Sequence, residues 1–428
     1  MRNYDFSRFY GAYIRTMRKA FGISQKEMAK IGGMSNTSLS KIEQGERIMT
    51  KSTFRQCIAY FEEKESSYRF SEEIAQIEEA EHWIEVCVQR FLDTTYCTNL
   101  DDVKQRLREK ERSHSFAFFH WRLLALFLQV MHDEDCEDEL RELLAIGWFQ
   151  ESAHQSLLYD LLGVSKDPAS VKTLQDQIRA LQKARSLAWD AHCAPLIALT
   201  DYHLVWKHSR YQRTKAFLYF EEGEKFLNRT GAINRLLHFK LNQGILYRRL
   251  QMNELALSVF RSLLESSPSI SNPDLKQRIL ENLAWSEFVL EHFESAIQTA
   301  RQAIVHHNEF PDLAIVLVMS PFHQKKLDKA RIELERFLAK PVLDERSALI
   351  HDFLELVQKI MRDEPGIAPF ATRIESRCAS FRDVELEDSL YWILSEYYES
   401  KADYKTALHY AKKRSLYLKA AFFADDAS

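Results

Sequence analysis

The sequence contains few glycine and proline residues, 11 and 9 respectively in a chain of 428. Runs in which valine, isoleucine or threonine alternate with polar residues are almost missing as well, and β-strands depend on such alternation. Both absences favour an all-α fold. The length, with 46 % hydrophobic and 28 % charged residues, predicts a soluble globular protein of more than one domain.

Long hydrophobic runs are also absent. The longest uninterrupted apolar run, residues 313–319, is far too short to span a bilayer. The N-terminus, with Arg2, Asp5 and Arg8, has no apolar signal-peptide core. The sequence therefore predicts a cytoplasmic protein.

The cysteines are scattered without a Cys-x-x-Cys spacing, which argues against a zinc site and a disulfide framework. They are interpreted as buried reduced thiols, with a redox pair of Cys87 and Cys97 as the alternative. No Walker loop, HExxH motif or nucleophile elbow is present, so no enzymatic activity, cofactor or metal is predicted. The six cysteines are Cys57, Cys87, Cys97, Cys136, Cys193 and Cys378.

The most informative segment is residues 22–45, GISQKEMAKIGGMSNTSLSKIEQG. Ser24 followed by Glu27 is the pattern of a capping box, which predicts a helix start at about Ser24. This helix ends at Gly32-Gly33, where glycine permits the left-handed backbone of a tight turn. Ser35 then caps a second short helix, and such a pair forms a helix-turn-helix. Apolar residues at helical spacing predict a flanking helix on each side: Phe9, Tyr13, Met17, Ala20 and Phe21, then Phe54, Ile58 and Phe61.

Residues 7–62 resemble the DNA-binding domain of the XRE, or Cro/CI-type, regulators. The shared elements are Ser-Gln, Leu-Ala (here Met28-Ala29), Ser-x-x-Ser/Thr-x-Ser and Ile-Glu-x-Gly. The resemblance implies that Gln25 meets a phosphate or a base edge. It also implies that Asn36, Thr37 and Lys41 face the major groove, with Ser35, Ser38 and Ser40 nearer the DNA backbone. For the serines, helix capping alone is the alternative.

Two features of the segment concern its fold rather than DNA. The family pattern pairs Glu43 with an arginine, here Arg18, so the resemblance implies an ion pair that holds the domain together. Gly32-Gly33-Met34 replaces the more usual Ala/Leu-Gly-Val. This departure loosens the turn without removing it.

Charge separates the N-terminal segment from the rest. Residues 1–65 carry twelve Lys/Arg against seven Asp/Glu, a net charge of +5, whereas the whole chain is at −4, so the remainder carries −9. Only the first segment has the charge of a phosphate binder. Because +5 is modest, we expect a homodimer that reads two half-sites. The predicted domains are a helix-turn-helix domain, residues 1–66, and a helical-repeat domain, residues 67–428, with a hinge or linker helix at residues 62–67.

The C-terminal region predicts a chain of helical hairpins. Gly244, Tyr247, Ala256, Phe260 and Pro268 match the G-x-x-Y, A-x-x-x-F, P skeleton of a tetratricopeptide repeat. Small residues at positions 216, 256, 296 and 330 recur at intervals of 40, 40 and 34, and residues 330–407 have room for two more units. One repeat cannot bury its own core, so we expect a stacked α-solenoid that includes residues 70–215 as divergent copies.

A tetratricopeptide solenoid commonly holds an extended peptide. Asn242 and Asn282 each lie two residues before the small anchor of their repeat, a place that lines the concave face in peptide-binding folds of this type. An asparagine amide donates and accepts hydrogen bonds, which suits a peptide bond; hydrogen bonding between repeats is the alternative. His238, Arg249 and Arg278 could meet an acidic group of the peptide. Tyr202, with Trp206, Tyr247 and Trp285, could form apolar pockets, and a place in the core is the alternative for these aromatics.

An XRE-type domain followed by such a solenoid resembles the RRNPP group, the peptide-sensing, quorum-sensing regulators of Gram-positive bacteria. The resemblance implies a transcriptional regulator that binds an operator as a dimer and whose solenoid binds a short signalling peptide, which alters DNA affinity or oligomeric state. Some relatives bind a response regulator, so a phosphatase-like modulator is one alternative, with Gln89, Gln105 and Gln129 as unspecific candidates. An adaptor whose helix-turn-helix serves dimerisation is another.

Overall fold

The computed structural model describes residues 6–72, 74–93, 101–110, 114–165, 171–211, 213–266, 273–304, 311–381 and 384–423. Within these ranges lie 22 α-helices and two strands of two residues each, which confirms the all-α prediction. The chain forms two compact units. The first unit is Met1–His208 with Ala216–Leu236, and the second unit is Ser209–Lys215 with Leu237–Ser428. No helix in the described ranges is long and apolar enough to cross a membrane.

The first four helices form the helix-turn-helix: α1 (Ser7–Ala20), α2 (Gln25–Ile31), α3 (Asn36–Glu43) and α4 (Lys51–Lys64). Ser24, Ser35 and Thr50 cap α2, α3 and α4, each accepting a hydrogen bond from a backbone N–H three residues ahead. The capping box predicted for Ser24 and Glu27 is incomplete. The Glu27 carboxylate accepts a hydrogen bond from the Tyr60 hydroxyl at 2.7 Å instead of one from the Ser24 backbone N–H. Gly33 closes the turn between α2 and α3 with a φ of 62°, as the sequence predicts.

An aromatic cluster packs the helix-turn-helix against residues that follow it in the chain. Strand β1 (Phe70–Ser71) pairs in parallel with β2 (His114–Ser115), and Phe116 directly follows β2. The Phe116 side chain is buried. Its ring centroid lies 4.7 to 5.9 Å from those of Phe6, Phe9, Tyr10, Tyr13, Phe54 and Phe70.

The segment predicted as a hinge or linker helix, residues 62–67, is the end of α4 and a turn. The next residue, Tyr68, is fully buried, and its hydroxyl lies 2.6 Å from that of Tyr13. A hydrogen bond between buried hydroxyls fixes both side chains. Tyr68 thus anchors the chain directly after the segment, and a hinge at residues 62–67 stays a prediction.

The chain from β1 to residue 230 forms further helices with buried polar pairs. His203 Nδ1 lies 2.9 Å from the Asp160 carboxylate, and the buried Lys207 donates to Gln177 at 2.9 Å. Such partners satisfy polar groups that burial would otherwise penalise. The helices are α5 (Ile74–Asp93), α6 (Asp101–Lys110), α7 (Phe118–Met131), α8 (Glu137–Leu144), α9 (Ser152–Val164), α10 (Val171–Asp190), α11 (Ala194–Tyr211) and α12 (Arg213–Thr230), with a 3₁₀ turn at Gly147–Phe149. Up to His208 these residues belong with the helix-turn-helix in the first unit, so the division at residue 66 stays a prediction.

Five helical hairpins follow, with small residues where their helices cross. A Cβ added at Gly244 would lie 2.4 Å from the Phe260 ring, so only glycine allows this approach of α13 and α14. Ala256, Ala296, Ala330 and Ala407 are buried in the second helices of four hairpins, which confirms the repeat positions; Pro268 lies outside the described residues. The hairpins are α13 (Ile233–Arg249) with α14 (Asn253–Glu265), α15 (Pro273–Val289) with α16 (Phe293–Ile304), α17 (Pro311–His323) with α18 (Leu327–Leu338), α19 (Glu345–Met361) with α20 (Ile367–Phe381), and α21 (Val384–Ser400) with α22 (Tyr404–Phe423).

Apart from Gly366, whose φ is 88° in the turn between α19 and α20, the turn of each of these hairpins contains one residue with a left-handed backbone. The φ angles lie between 55° and 62°. None of the five residues is glycine, although this conformation costs other L-residues about 1–2 kcal/mol. The left-handed position therefore recurs in all five turns without a matching residue type. The five are Gln251, Glu291, Lys325, Asp363 and Ala402.

The cysteines within the described ranges are free thiols. Cys57, Cys87, Cys136 and Cys378 are buried, and burial raises the pKa of Cys57 and of Cys136 to about 11. A raised pKa keeps these two thiols protonated and weakly reactive, as the interpretation of reduced, buried cysteines requires. Cys97 lies outside the described residues, so the alternative of a Cys87/Cys97 redox pair is untested.

Candidate DNA-binding and peptide-binding sites

Helix α3 presents a polar face to solvent. Leu39 and Ile42 are buried in the core of the helix-turn-helix. Asn36, Thr37 and Lys41 are exposed, because the helical period places them away from the two core positions. This is the arrangement that the sequence resemblance implies for reading a major groove. Contact of these three side chains with DNA stays a prediction.

The three serines of this region differ in their surroundings. Ser35 Oγ accepts from the Ser38 backbone N–H at 3.1 Å and donates to Ser38 Oγ at 3.0 Å. Arg47 also donates to Ser38 Oγ, at 3.2 Å, whereas Ser40 is half-buried. These bonds support the capping interpretation for Ser35, and a role for the serines at the DNA backbone stays a prediction.

The predicted ion pair between Arg18 and Glu43 is confirmed. Arg18 Nε and Nη2 donate to the two carboxylate oxygens of Glu43 at 2.8 and 2.9 Å, and the Glu43 side chain is only 3 % exposed. Gln25 Nε2 donates to the same carboxylate at 2.8 Å. One N–H of the Gln25 side-chain amide therefore stabilises the fold, and the second N–H is left for the predicted phosphate contact.

Exposed basic side chains occur on α2, α3 and α4 and in the turn after α3. One nearby acidic residue, Glu43, is neutralised by its ion pair with Arg18, whereas Glu27 and Glu46 are exposed. Exposed cationic side chains attract a phosphate backbone. The exposed basic residues from α2 to α4 are Lys26, Lys30, Lys41, Arg47, Lys51, Arg55 and Lys64.

The helix-turn-helix also contacts the end of α8 and the 3₁₀ turn of the first unit. Gly45, just after α3, lies so close to the Trp148 ring that an added Cβ would come within 2.4 Å of it. Arg15 donates to the Ala145 carbonyl at 3.3 Å. These contacts leave the polar residues of α3 exposed.

Five of the six peptide-binding candidates lie on α13 and α15. His238, Asn242 and Arg249 share one face of α13, since they are separated by whole numbers of helical turns. Asn242 is half-buried and Arg278 exposed. Asn282 is 7 % exposed, and its Nδ2 donates to the Arg278 carbonyl within α15 at 2.6 Å. One of its two donor hydrogens thus serves its own helix, a bond that neither interpretation of this residue anticipated.

The other candidates have partners of their own. Arg249 donates to the Ser209 carbonyl at 3.3 Å, and His238 is buried. Tyr202 belongs to the first unit, where the Arg235 guanidinium lies 4.8 Å from its ring centroid. The structure therefore brings five of the six candidates together in one compact unit and places Tyr202 in the other.

Sequence reasoning missed most of a set of charged side chains on the first helices of the hairpins. Arg248 on α13 pairs with Glu385 on α21 at 2.9 Å. Burial, followed by the nearby Asp312 carboxylate, raises the pKa of Glu281 to about 7, against the opposing effect of Arg248 and Arg278. We name Arg248, Arg278, Glu281, Asp312 and Glu385 the first-helix charged cluster. Of its members, the sequence analysis had singled out only Arg278.

The glutamines considered for a phosphatase-like activity show no catalytic arrangement among the described contacts. Gln89 donates to Asp93 at 2.8 Å, and Gln105 donates to Glu109 at 3.3 Å. Both are local bonds between residues one helical turn apart. Gln129 is half-buried on α7.

Comparison with known proteins gives one sequence match and several structural ones. The helix-turn-helix family model matches residues 14–66, and a comparison with characterised protein sequences found no significant match. The apo form of the quorum sensor NprR from B. thuringiensis is 14 % identical, with a TM-score of 0.63 over 80 % of this chain and 98 % of that one. The apo form of RapI is 14 % identical, with a TM-score of 0.64 over 81 % and 98 %.

Two further solved structures are similar. NprR in complex with its cognate peptide NprX is 14 % identical, with a TM-score of 0.53 over 80 % of this chain and 97 % of that one. Aspartyl phosphate phosphatase F from Bacillus subtilis is 19 % identical, with a TM-score of 0.54 over 80 % and 93 %. At these identities the likeness is one of fold. The chain therefore carries an XRE-type helix-turn-helix at its N-terminus and has the helical-repeat fold of NprR and the Rap proteins of the RRNPP group.

Proposed function

We propose that the protein is a cytoplasmic transcriptional regulator without enzymatic activity, which binds operator DNA as a homodimer and senses a short signalling peptide through its helical repeats. The observation that carries the proposal is the exposed polar face of α3, with Asn36, Thr37 and Lys41, in a helix-turn-helix with exposed basic side chains. A face of this kind suits base edges and phosphates. The fold alone does not decide the function, because a quorum sensor and a phosphatase share it.

DNA binding is tested by selecting sequences from a randomised duplex library with the full-length protein and measuring affinity by fluorescence anisotropy. Asn36→Ala should lower affinity and relax sequence preference at one position, since one base contact is worth about 1–3 kcal/mol. Lys41→Ala should lower affinity and, if Lys41 also neutralises a phosphate, reduce the slope of log K against log salt by about 1. Lys329→Ala, an exposed lysine on α18, is the matched control. Unchanged binding by both α3 variants would reject the proposal in favour of a dimerisation module.

The homodimer follows from the modest charge of the N-terminal segment. A single helix-turn-helix reads one half-site, and two copies read a palindrome with half-sites about one helical turn apart. Analytical ultracentrifugation of the protein on the selected duplex should give two chains per duplex. One chain per duplex at saturation would contradict the homodimer.

Peptide sensing is supported by the grouping of His238, Asn242, Arg249, Arg278 and Asn282 in one compact unit and by the adjacent first-helix charged cluster. Partly buried charges and amides bind polar peptide groups more strongly than the same groups exposed to water. NprR, which shares the fold, binds its cognate peptide NprX. The peptide proposed for this chain is a different molecule that its own genome would encode.

Calorimetry with short peptides encoded beside the gene tests this part. Asn242→Ala and Arg278→Ala should each weaken binding of an active peptide by about tenfold, the effect of losing one charge-assisted or amide hydrogen bond worth about 1.5 kcal/mol. Lys276→Ala, an exposed residue of α15, should bind as the wild type. Equal affinity in all variants would place the peptide elsewhere.

A further inference from the structure

Three helices of the first unit bring two histidines and a glutamate together. Glu81 on α5, His120 on α7 and His154 on α9 each offer one ligand atom, and these atoms all lie within 4.8 Å of one another. The cluster belongs to neither of the sites considered above. Sequence reasoning missed it, because the three residues lie on separate helices and form no spacing motif.

His120 has an incomplete set of partners. It is 1 % exposed, its Nδ1 has no hydrogen-bond partner among the described residues, and its Nε2 lies 3.8 Å from Glu81 Oε1, beyond hydrogen-bond range. A buried polar atom without a partner carries a free-energy cost and calls for an explanation. Burial, with a smaller contribution from His154, holds the pKa of His120 well below its usual value.

A cavity reaches the cluster from one side. It has a volume of about 440 Å³, and Glu81 and His154 line it while His120 lies outside its lining. The imidazole rings of His120 and His154 meet edge to face, with centroids 4.7 Å apart. An ion held by the three side chains would thus have an entry path and one side open to water.

We propose that Glu81, His120 and His154 bind one divalent transition-metal ion of the Zn²⁺ class, with the fourth position open toward the cavity. Two imidazoles and one carboxylate are a donor set used by zinc with an open site. Neighbouring ligand atoms around tetrahedral zinc lie about 3.4 Å apart, given metal–ligand distances of about 2.0–2.2 Å. The three ligand atoms lie within 4.8 Å of one another, so binding of an ion would draw neighbouring atoms together by at most about 1.4 Å. Bound metal links α5, α7 and α9.

Calorimetric titration of the full-length protein with Zn²⁺, after dialysis against a chelator, tests the site. We expect one high-affinity ion per chain. Glu81→Gln and His154→Gln should each weaken binding by more than about 100-fold, since even outer-shell partners of a metal contribute about 10–100-fold. His82→Gln is the matched control, because His82 is exposed and lines the same cavity without belonging to the cluster.

Two further measurements test whether the variants are folded and whether the metal site is tetrahedral. Circular dichroism should show that all three variants are folded, and Co²⁺ added to the wild type should produce the visible absorption of a tetrahedral site. Failure of the wild type to bind Zn²⁺ stoichiometrically would overturn the proposal. Wild-type affinity in Glu81→Gln and His154→Gln would overturn it as well. The proposal is independent of DNA and peptide binding, so its failure leaves the proposed function untouched.

Discussion

At the scale of single residues, Glu43 illustrates a charged side chain whose task is structural. It lies on α3, yet both of its oxygens are occupied by Arg18 and one also accepts from Gln25. A carboxylate facing DNA would repel phosphates, so this burial also suits the DNA contact proposed for α3. The family pattern predicted the pair with Arg18, whereas the third partner became visible only in the structure.

We predict that Glu43→Ala lowers the free energy of unfolding by about 3 kcal/mol, because removing one partner leaves a largely buried guanidinium without its counter-charge. Glu46→Ala provides the control, since Glu46 is exposed and exposed positions change stability by within about 0.5 kcal/mol. Urea unfolding followed by circular dichroism measures both. Equal midpoints for the two variants would show that the ion pair contributes little.

Asp201 carries a second prediction, concerning pH. It is fully buried, and burial raises its pKa to about 6 despite the opposing effect of Arg185. An unfolded aspartate titrates near 3.9, so between about pH 4 and 6 the folded state binds more protons than the unfolded state. The contribution of Asp201 to stability is therefore largest at the acid end and falls as pH rises through this window.

Relative to Asp201→Asn, the wild type should lose roughly 2–3 kcal/mol of stability between pH 4 and pH 7. Urea unfolding at four pH values measures this difference. Asp190→Asn, at an exposed carboxyl of α10, should follow the wild type across the range. A difference between wild type and Asp201→Asn that stays constant with pH would contradict the raised pKa.

At the scale of elements, the sequence predicted helices and crossings better than turns. Gly244 and Ala256 revealed a hairpin because close helix packing requires small residues, and this requirement acts on residue type. The five left-handed turn residues gave no signal, since Gln251, Lys325 and Ala402 have nothing in common chemically. Packing of the adjacent helices imposes their backbone conformation against their own preference.

Ala402→Gly should therefore stabilise the protein by about 0.5–1 kcal/mol. Glycine adopts a φ of 56° without steric cost. Part of this gain is offset, because glycine has greater conformational entropy in the unfolded chain. Ala339→Gly is the control, as Ala339 is exposed at the end of α18 with a right-handed φ of −77°. It should destabilise by a similar amount. Thermal unfolding distinguishes the two, and a loss of stability in Ala402→Gly would contradict the argument.

At the scale of the whole molecule, the aromatic cluster around Phe116 explains why the predicted domain boundary and the compact units differ. Composition and charge change near residue 66, and the sequence resemblance ends there. Packing does not, since β2 brings Phe116 from beyond the boundary into contact with α1 and α4. A contact between residues far apart in sequence leaves no periodic pattern for sequence reasoning to find. The metal-ligand cluster escaped prediction for the same reason.

We predict that Phe116→Ala lowers the free energy of unfolding by about 3–5 kcal/mol, the usual cost of emptying a fully packed aromatic site. Hydrogen exchange should show that α1 and α4 lose protection along with β1. Ile48→Ala, which truncates an exposed side chain of the same domain, is the control. If α1 and α4 keep their protection in Phe116→Ala, the helix-turn-helix is stable without this contact.

The close contact between Gly45 and Trp148 also has an experimental use. The indole ring lies against the turn that ends α3, within the same compact unit, so its surroundings change whenever α3 moves against the 3₁₀ turn that contains Trp148. Tryptophan emission depends on such surroundings. A variant in which the other six of its seven tryptophans are replaced by phenylalanine would report the binding of DNA or ligand as a change in tryptophan fluorescence, without an attached dye.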